Sequence, residues 1–317
     1  TSLKLGGVFL RFFYLEYGPE ARPSVFSPTA IYTLKNQIMI FLGTDLNWGG
    51  GKWHAQFGPS YVKFPDQFYG IGRDVSLDDE EDYTPERIAF DAMIEREVIG
   101  DLRLGPSYKV MKHRLLEVEE GGVIDSGDLP GTGTTVVSAP GLVLTVDTRN
   151  NTWFPTRGVE MSFSAHWARG WIGSDDDFDQ YELDLRGYLE LGEDSVLAGQ
   201  FKTTSLEGSP PFFMLPQMGG ESGLRGYRGS LYRDQVASYG RVEVRKMGLW
   251  NRLGGVVFAG MGDVAPSVSK LTLSRQLWSA GFGLRYALDE TELVNIRVDF
   301  GWGNGDSGFI LSLGEAF

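Results

Sequence analysis

Gly219 to Arg245 reads GGESGLRGYRGSLYRDQVASYGRVEVR, and its two halves obey different rules. The first half is too rich in glycine and charge for a strand, yet it sets Leu224 and Tyr227 around Arg225 and Gly226. An exposed loop has no use for such anchors. The second half alternates, with Val242 and Val244 on one side and Arg241, Glu243 and Arg245 on the other, the period of a strand with one apolar and one charged face. A charged loop with bulky anchors that feeds such a strand is expected to fold inward, with Leu224, Arg225, Gly226 and Tyr227 as its lock.

The same alternation recurs on both sides of this stretch. Leu183, Leu185, Leu189 and Leu191 oppose Glu182, Asp184, Arg186 and Glu190. Trp278, Ala280, Phe282, Leu284 and Tyr286 oppose Ser279, Gly281, Gly283 and Arg285, and Ile296, Val298, Phe300 and Trp302 oppose Asn295, Arg297 and Asp299. A soluble β-sandwich would alternate too, so periodicity alone leaves sandwich and membrane barrel open. Three features favour the barrel. The strands exceed the ~5–6 residues usual in soluble sheets. Aromatics gather near strand ends, at Trp48, Trp53, Trp153, Trp167, Trp171, Trp250 and Trp302, where an interfacial girdle wants amphipathic rings. Short links, Gly192-Glu193-Asp194 and Asp289-Glu290, alternate with long polar loops, as in a barrel with a periplasmic and an outer end.

Composition removes other classes. The 317 residues contain 43 glycines, 8 tryptophans and no cysteine, which excludes disulfides and thiolate metal sites. A formal charge of −13 without a basic cluster excludes a nucleic-acid partner. No apolar run is long enough for a membrane helix; the nearest, Val8 to Leu15, is broken by Arg11.

In chain order, strands are expected near Leu3–Tyr17, Ser24–Lys35, Gln37–Asn47, Lys52–Phe64, Pro85–Glu97, Asp101–Val118, Val136–Thr148 and Gly158–Trp171. Further ones follow near Asp179–Leu191, Ser195–Leu206, Gln235–Met247, Leu253–Gly262, Gln276–Leu288, Glu292–Trp302 and Ser307–Phe317, one all-β domain over residues 1–317. That makes about fifteen, whereas bacterial single-chain barrels close with an even number. Thr1 and Ser2 begin almost inside a strand, so the absent one is expected upstream, or the count is off by one.

Gly219-Gly220-Glu221, the Leu-Arg-Gly-Tyr tetrad, Arg233-Asp234 and Glu243-Val244-Arg245 together resemble the surface-antigen barrel of the outer-membrane assembly-factor and two-partner-secretion superfamily, BamA/TamA-like. Tyr32-Thr33, Phe68-Tyr69-Gly70-Ile71-Gly72, Asp147-Thr148-Arg149-Asn150 with Phe154-Pro155, and the ending Gly314-Glu315-Ala316-Phe317 fit the same pattern across most of the chain. The resemblance implies a sixteen-stranded transmembrane antiparallel β-barrel in the bacterial outer membrane, both termini periplasmic. It implies that a long extracellular loop docks Arg225 in the lumen. Gly219, Gly220, Arg233 and Asp234 would support that loop. Phe309, Leu311, Leu313 and Phe317 would form a C-terminal strand signal. Glu243 has the inward parity to accept the guanidinium. The family tends to place an aspartate on the next strand, in Phe-x-Asp-x-Gly; here Phe258-Ala259-Gly260-Met261-Gly262 has Gly260 there, with Asp263 three residues on.

The implied function is insertion or translocation of polypeptides, and the implied partners are outer-membrane lipid, lipopolysaccharide and a client or separate partner chain. Relatives that handle clients carry periplasmic repeats, which this sequence lacks, so a membrane anchor or scaffold subunit is the alternative and a diffusion porin the next. Neither a G-x-S-x-G elbow nor an H-E-x-x-H helix is present, and no catalysis or cofactor is expected. The acidic runs Asp78-Asp79-Glu80-Glu81-Asp82 and Asp175-Asp176-Asp177 lack calcium-loop spacing and read as solvated loops rather than metal sites. His54, His113 and His166 are scattered and read as structural.

Overall fold

The computed structural model describes residues 4–18, 21–33, 36–288 and 294–317, with the side chains of Lys4 and Leu5 left aside. The described residues form one antiparallel sheet of 17 strands. In order these are β1 (Lys4–Val8), β2 (Arg11–Phe13), β3 (Ser24–Thr33), β4 (Ile38–Trp48), β5 (Trp53–Lys63), β6 (Asp66–Phe68), β7 (Glu81–Ile99), β8 (Leu102–Val118) and β9 (Thr135–Asp147). There follow β10 (Gly158–Ala168), β11 (Phe178–Gly192), β12 (Ser195–Gly208), β13 (Val236–Trp250), β14 (Leu253–Ala265), β15 (Leu277–Ala287), β16 (Asn295–Gly303) and β17 (Ser307–Leu313). No helix among the described residues is long and apolar enough to cross a membrane.

Each strand pairs with its sequence neighbours, and short β6 only extends the β7 ladder beyond the wall. β1 and β2 both pair with β3 and form one interrupted strand. The expected first strand is thus broken, and Pro28 is the cause. It stands opposite the break without a backbone donor, and only its carbonyl is used, accepting from Phe9 N–H at 3.0 Å. With β1 and β2 merged and β6 set aside, the described residues cross the wall fifteen times rather than the sixteen the resemblance implies. β7 runs further than expected, through Pro85, because a register shift between Thr84 and Pro85 absorbs the missing donor.

Long segments 64–80, 119–134, 169–177, 209–235 and 266–276 emerge at one end of the wall, while links such as 49–52, 100–101, 193–194 and 251–252 turn tightly at the other. The short link Asp289-Glu290 lies outside the described residues. Because Lys4 pairs with Thr33, β1 starts at the loop end, whereas β17 finishes at the turn end. The first and last described residues therefore lie on opposite sides of the wall, because the described crossings are odd in number. For the same reason the sheet's edges, β1/β2 and β17, run in the same direction. Among the described residues no ladder joins them, and the barrel is open along that seam.

The two faces invert the soluble pattern. Outward Val242, Val244, Phe282, Leu284 and Leu185 are exposed, while inward Glu243, Arg245, Arg285 and Asp299 are buried. A wall with apolar groups outside and ions inside suits hydrocarbon outside and a packed polar lumen. Of the expected girdle, Trp250 and Trp171 are exposed at opposite ends, but Trp153 is not part of it. The 148–157 turn tucks beneath the lumen, with the Trp153 ring 5.7 Å from Phe12 on β2.

Candidate functional site

Segment 209–235 leaves β12 and turns into the lumen as a hairpin. Met218 N–H donates to Tyr232 O at 2.9 Å, Gly220 N–H to Tyr227 O at 3.0 Å, and Leu224 N–H folds the tip back on Met218 O at 2.7 Å. Met218, Leu224, Tyr227, Leu231 and Tyr232 join Tyr69, Tyr239, Val264 and Leu277 in one apolar cluster at the loop end. Ile124 of the 119–134 insertion packs with Phe68, Tyr83 and Phe212 in a second. Burial of such area is what stabilises an inward loop.

Each member of the tetrad meets a different surface. Leu224 lies against Gly260, where an added Cβ would come within 2.8 Å of its Cδ2. Gly226 has φ 112 and sits so close to β16 that a Cβ would lie 2.6 Å from Trp302 N; across from it a Cβ on Gly301 would lie 2.6 Å from Arg225 O. Only glycine on both sides permits that approach. Tyr227 donates to Trp278 O at 2.7 Å, accepts from Asn304 N–H at 2.9 Å and covers Gly303.

Arg225, 2% exposed, is the centre. Its guanidinium donates through one terminal nitrogen to Asp299 at 2.7 Å and through the other to Glu243, and its Cζ lies 3.5 Å from the centroid of Phe258. A planar fork reaching two acids over an aromatic face is a task for arginine rather than lysine. Neither acid belongs to Arg225 alone. Glu243 also accepts from Arg245 at 2.8 Å, and Asp299 from Arg285 at 2.6 Å and Arg297 at 3.2 Å. Glu221 at the loop tip accepts from Arg297 at 2.7 Å and from Ser312 of β17. Glu315 accepts from Arg285 at 2.8 Å and Asn295 at 2.9 Å. The network thus ties the loop to β13, β15, β16 and β17.

Sequence reasoning named Glu243 but missed Asp299, although its inward parity was visible. Asp263 does not stand in for an acid at Gly260: it pairs with Arg73 at 2.8 Å and accepts from Thr272 N–H. The space an acid at Gly260 would enter is held by Leu224. Gly219 and Gly220 form the hairpin's base, where a Cβ on Gly219 would strike Arg228 O at 2.2 Å. Arg233 is buried, donates to Gln67 O at 3.1 Å and lies over Phe68, and its carbonyl accepts from Gly72 N–H at 2.8 Å, so it joins the two long loops rather than the lock. Asp234 accepts from Gln235 N–H at 2.8 Å and contacts no part of the tetrad's ion network. Outside the wall, burial raises the Tyr69 hydroxyl above its usual range, and it donates to Glu80 at 2.8 Å while Arg228 donates to it at 2.9 Å.

The C-terminal signal divides. Phe309 and Leu311 are exposed on the outer face and Leu313 continues their parity, but Phe317 is buried in the lumen. Gly314, at φ 77, ends the strand and turns the chain inward. There Arg241 donates to Ala316 O and Arg245 to Phe317 O, both at 2.9 Å, and the Phe317 ring packs with Phe154, Tyr188 and Val196. The acidic runs serve turns: Asp79 accepts from Ser76 N–H at 2.9 Å, and Asp175 from Val136 N–H at 2.6 Å. His54 bridges Asp45 at 3.1 Å and Glu95 at 3.0 Å, His166 meets Ser107 at 3.0 Å, and His113 stacks on Phe213.

The structure of BamA from Haemophilus ducreyi lacking POTRA domains 1–3 is similar at TM-score 0.62 and 13% identity, over 99% of this chain and 70% of that one. CdiB from Escherichia coli is similar at TM-score 0.60 and 11% identity over 98% of this chain, and CdiB from Acinetobacter baumannii at 0.57 and 12% over 92%. This chain spans 57% and 53% of those two, respectively. No curated protein sequence matches it. Residues 54–317 match the Omp85 superfamily domain, and the chain belongs to the Omp85 superfamily of outer-membrane β-barrels.

Proposed function

We propose that this chain is a non-catalytic barrel that helps polypeptides enter or cross the outer membrane, with its turn end in the periplasm and its long loops outside. One observation carries the reading. The arginine loop, held by β13, β14 and β15, also reaches the two strands that end at the open seam: Gly226 on Gly301, Tyr227 on Gly303, Arg228 N–H on Asp306 at 2.9 Å, and Glu221 on Ser312. A loop that braces the last two strands is placed to govern an edge whose unpaired amides are costly in lipid and favour pairing with an incoming strand. Lipid and lipopolysaccharide surround the wall, and the partner is a client or a separate chain.

A scaffold that only anchors a partner is the second reading. It draws on the lumen being stoppered at both ends, by the loop clusters above and by Phe154, Tyr188 and Phe317 below. Gentle extraction from the native membrane, with identification of what copurifies, and reconstitution into liposomes with an unfolded barrel or exported polypeptide separate the two. Assembly predicts captured clients and faster insertion or passage. A stable stoichiometric partner with no such acceleration would leave the scaffold.

A further inference from the structure

We infer that the outer face of β4, β5, β7 and β8 carries a binding site for a phosphorylated, multiply acylated glycolipid of the outer leaflet. Three rows of outward side chains build it. At the loop end Lys63, Glu86 and Arg114 lie side by side across three strands, Lys63 opposite Glu86 and Glu86 opposite Arg114. The next row toward the turn end is Tyr61, Ile88 and Lys112, and the one beyond is Pro59, Phe90 and Val110. The wall thus changes from ionic to apolar within two rows, at the height where a lipid changes from headgroup to acyl chain.

The apolar rows are hollow. A groove of about 430 Å³ is lined by Ile40, Pro59, Tyr61, Ile88, Phe90 and Val110, with Lys112 at its rim. Ile88 is 54% exposed, so the groove opens to the surroundings. Above it, Glu86 accepts from Arg114 at 2.6 Å and from Tyr61 OH at 3.0 Å, which steers the guanidinium, while among the described residues neither Lys63, across from Glu86, nor Lys112 closes an ion pair. Three cations stand here against Glu86, with Glu117 the next acid one row toward the loop end, where Thr84 donates to it at 3.2 Å, so basic groups outnumber acids across these rows on a chain whose formal charge is −13. At comparable height on β12, β14, β15 and β16 the outward residues are Thr203, Ser205, Met261, Trp278 and Trp302, none of them basic. Strands are about 4.8 Å apart, so Lys63 and Arg114 stand about 10 Å apart, a gap one phosphate can bridge with Lys112 snorkelling from below. Charge complementarity selects the phosphate and the groove selects its acyl chains.

The site rests on the proposed orientation, loop end outward, but not on the handling of clients. The test uses the full chain in nanodiscs of neutral phosphatidylcholine containing a small fraction of bis-phosphorylated hexa-acyl lipid A, with retained lipid read by native mass spectrometry after transfer to detergent. Wild type retains the lipid. Lys63→Gln, Lys112→Gln and Arg114→Gln each reduce retention about five-fold, and the triple variant removes it. Glu86→Gln, which deletes the anion between Lys63 and Arg114, raises retention, and Ile88→Trp, which fills the groove, lowers it with every charge in place. Heat-modifiable mobility on gels checks that each variant is folded. Wild-type retention by the folded triple variant, or equal retention of dephosphorylated lipid A, overturns the site. Because no client enters the measurement, that result would not touch the assembly reading.

Discussion

Arg225 holds a position that no other side chain fills. It is shared between Glu243 and Asp299 and lies flat on Phe258, so its removal deletes two charge-assisted bonds and a ring contact together. Breaking a buried pair costs roughly 3–5 kcal/mol when the partner is stranded, but here both acids keep other arginines. Arg225→Ala should therefore destabilise loop docking by about 2 kcal/mol rather than unfold the barrel, and should raise single-channel conductance and protease cleavage within 209–235. Lysine, a point charge, should rescue only in part. Gly226→Ala tests the same docking without touching a charge, because its Cβ would fall 2.6 Å from a backbone nitrogen. If both variants conduct and resist protease as wild type does, the loop is not held by this lock. The tetrad and the parity of Glu243 are legible in the sequence because they are local. The role of Asp299 is not, since Arg297, Asp299 and Arg285 all share inward parity and only the fold decides which lies within reach of residue 225.

At the level of elements, alternation was the readable signal, and it locates strands better than their ends. β11 shows both sides of this. Its inward Asp184 binds Arg186 and Gln200, while outward Leu185 sits mid-strand between Met161 and Phe201. Leu185→Arg should cost about 2–4 kcal/mol at midplane depth, measured by denaturant unfolding in bilayers, and wild-type stability there would mean that this face does not meet lipid. The C-terminal element shows where alternation misleads. Parity runs unbroken from Phe309 toward Phe317, but the left-handed backbone at Gly314 takes the last residues off the ladder, and a one-dimensional pattern does not report a positive φ. Phe317 then works as an inward plug between Arg241 and Arg245. Phe317→Ala should cost about 3 kcal/mol, at the low end for a buried phenylalanine, and should loosen the turn end while the outer loops stay protected. An effect spread equally over both ends would argue that the plug and the loop lock are one unit.

For the molecule as a whole, the decisive quantity is the direction of its edges. Antiparallel neighbours alternate in direction, so an odd number of crossings leaves β1/β2 and β17 running the same way, and neither can complete the other's antiparallel ladder. A strand antiparallel to both of these described edges would run from the turn end to the loop end. At the turn end the Trp153 ring reaches across the seam, near Phe12 of β2 and within 3.8 Å of where a Cβ on Gly314 would lie. Hydrogen exchange in bilayers tests this directly. The slot-facing amides of β17 and of β1/β2 should exchange orders of magnitude faster than those of β15, each of whose amides has a strand beside it. Trp153→Ala should speed the edges further and leave β15 unchanged. A strand that enters the slot should slow both edges together, because it hydrogen-bonds to each. Edge amides already as protected as those of β15 would mean that the seam is filled, and the arginine loop would then brace a closed wall.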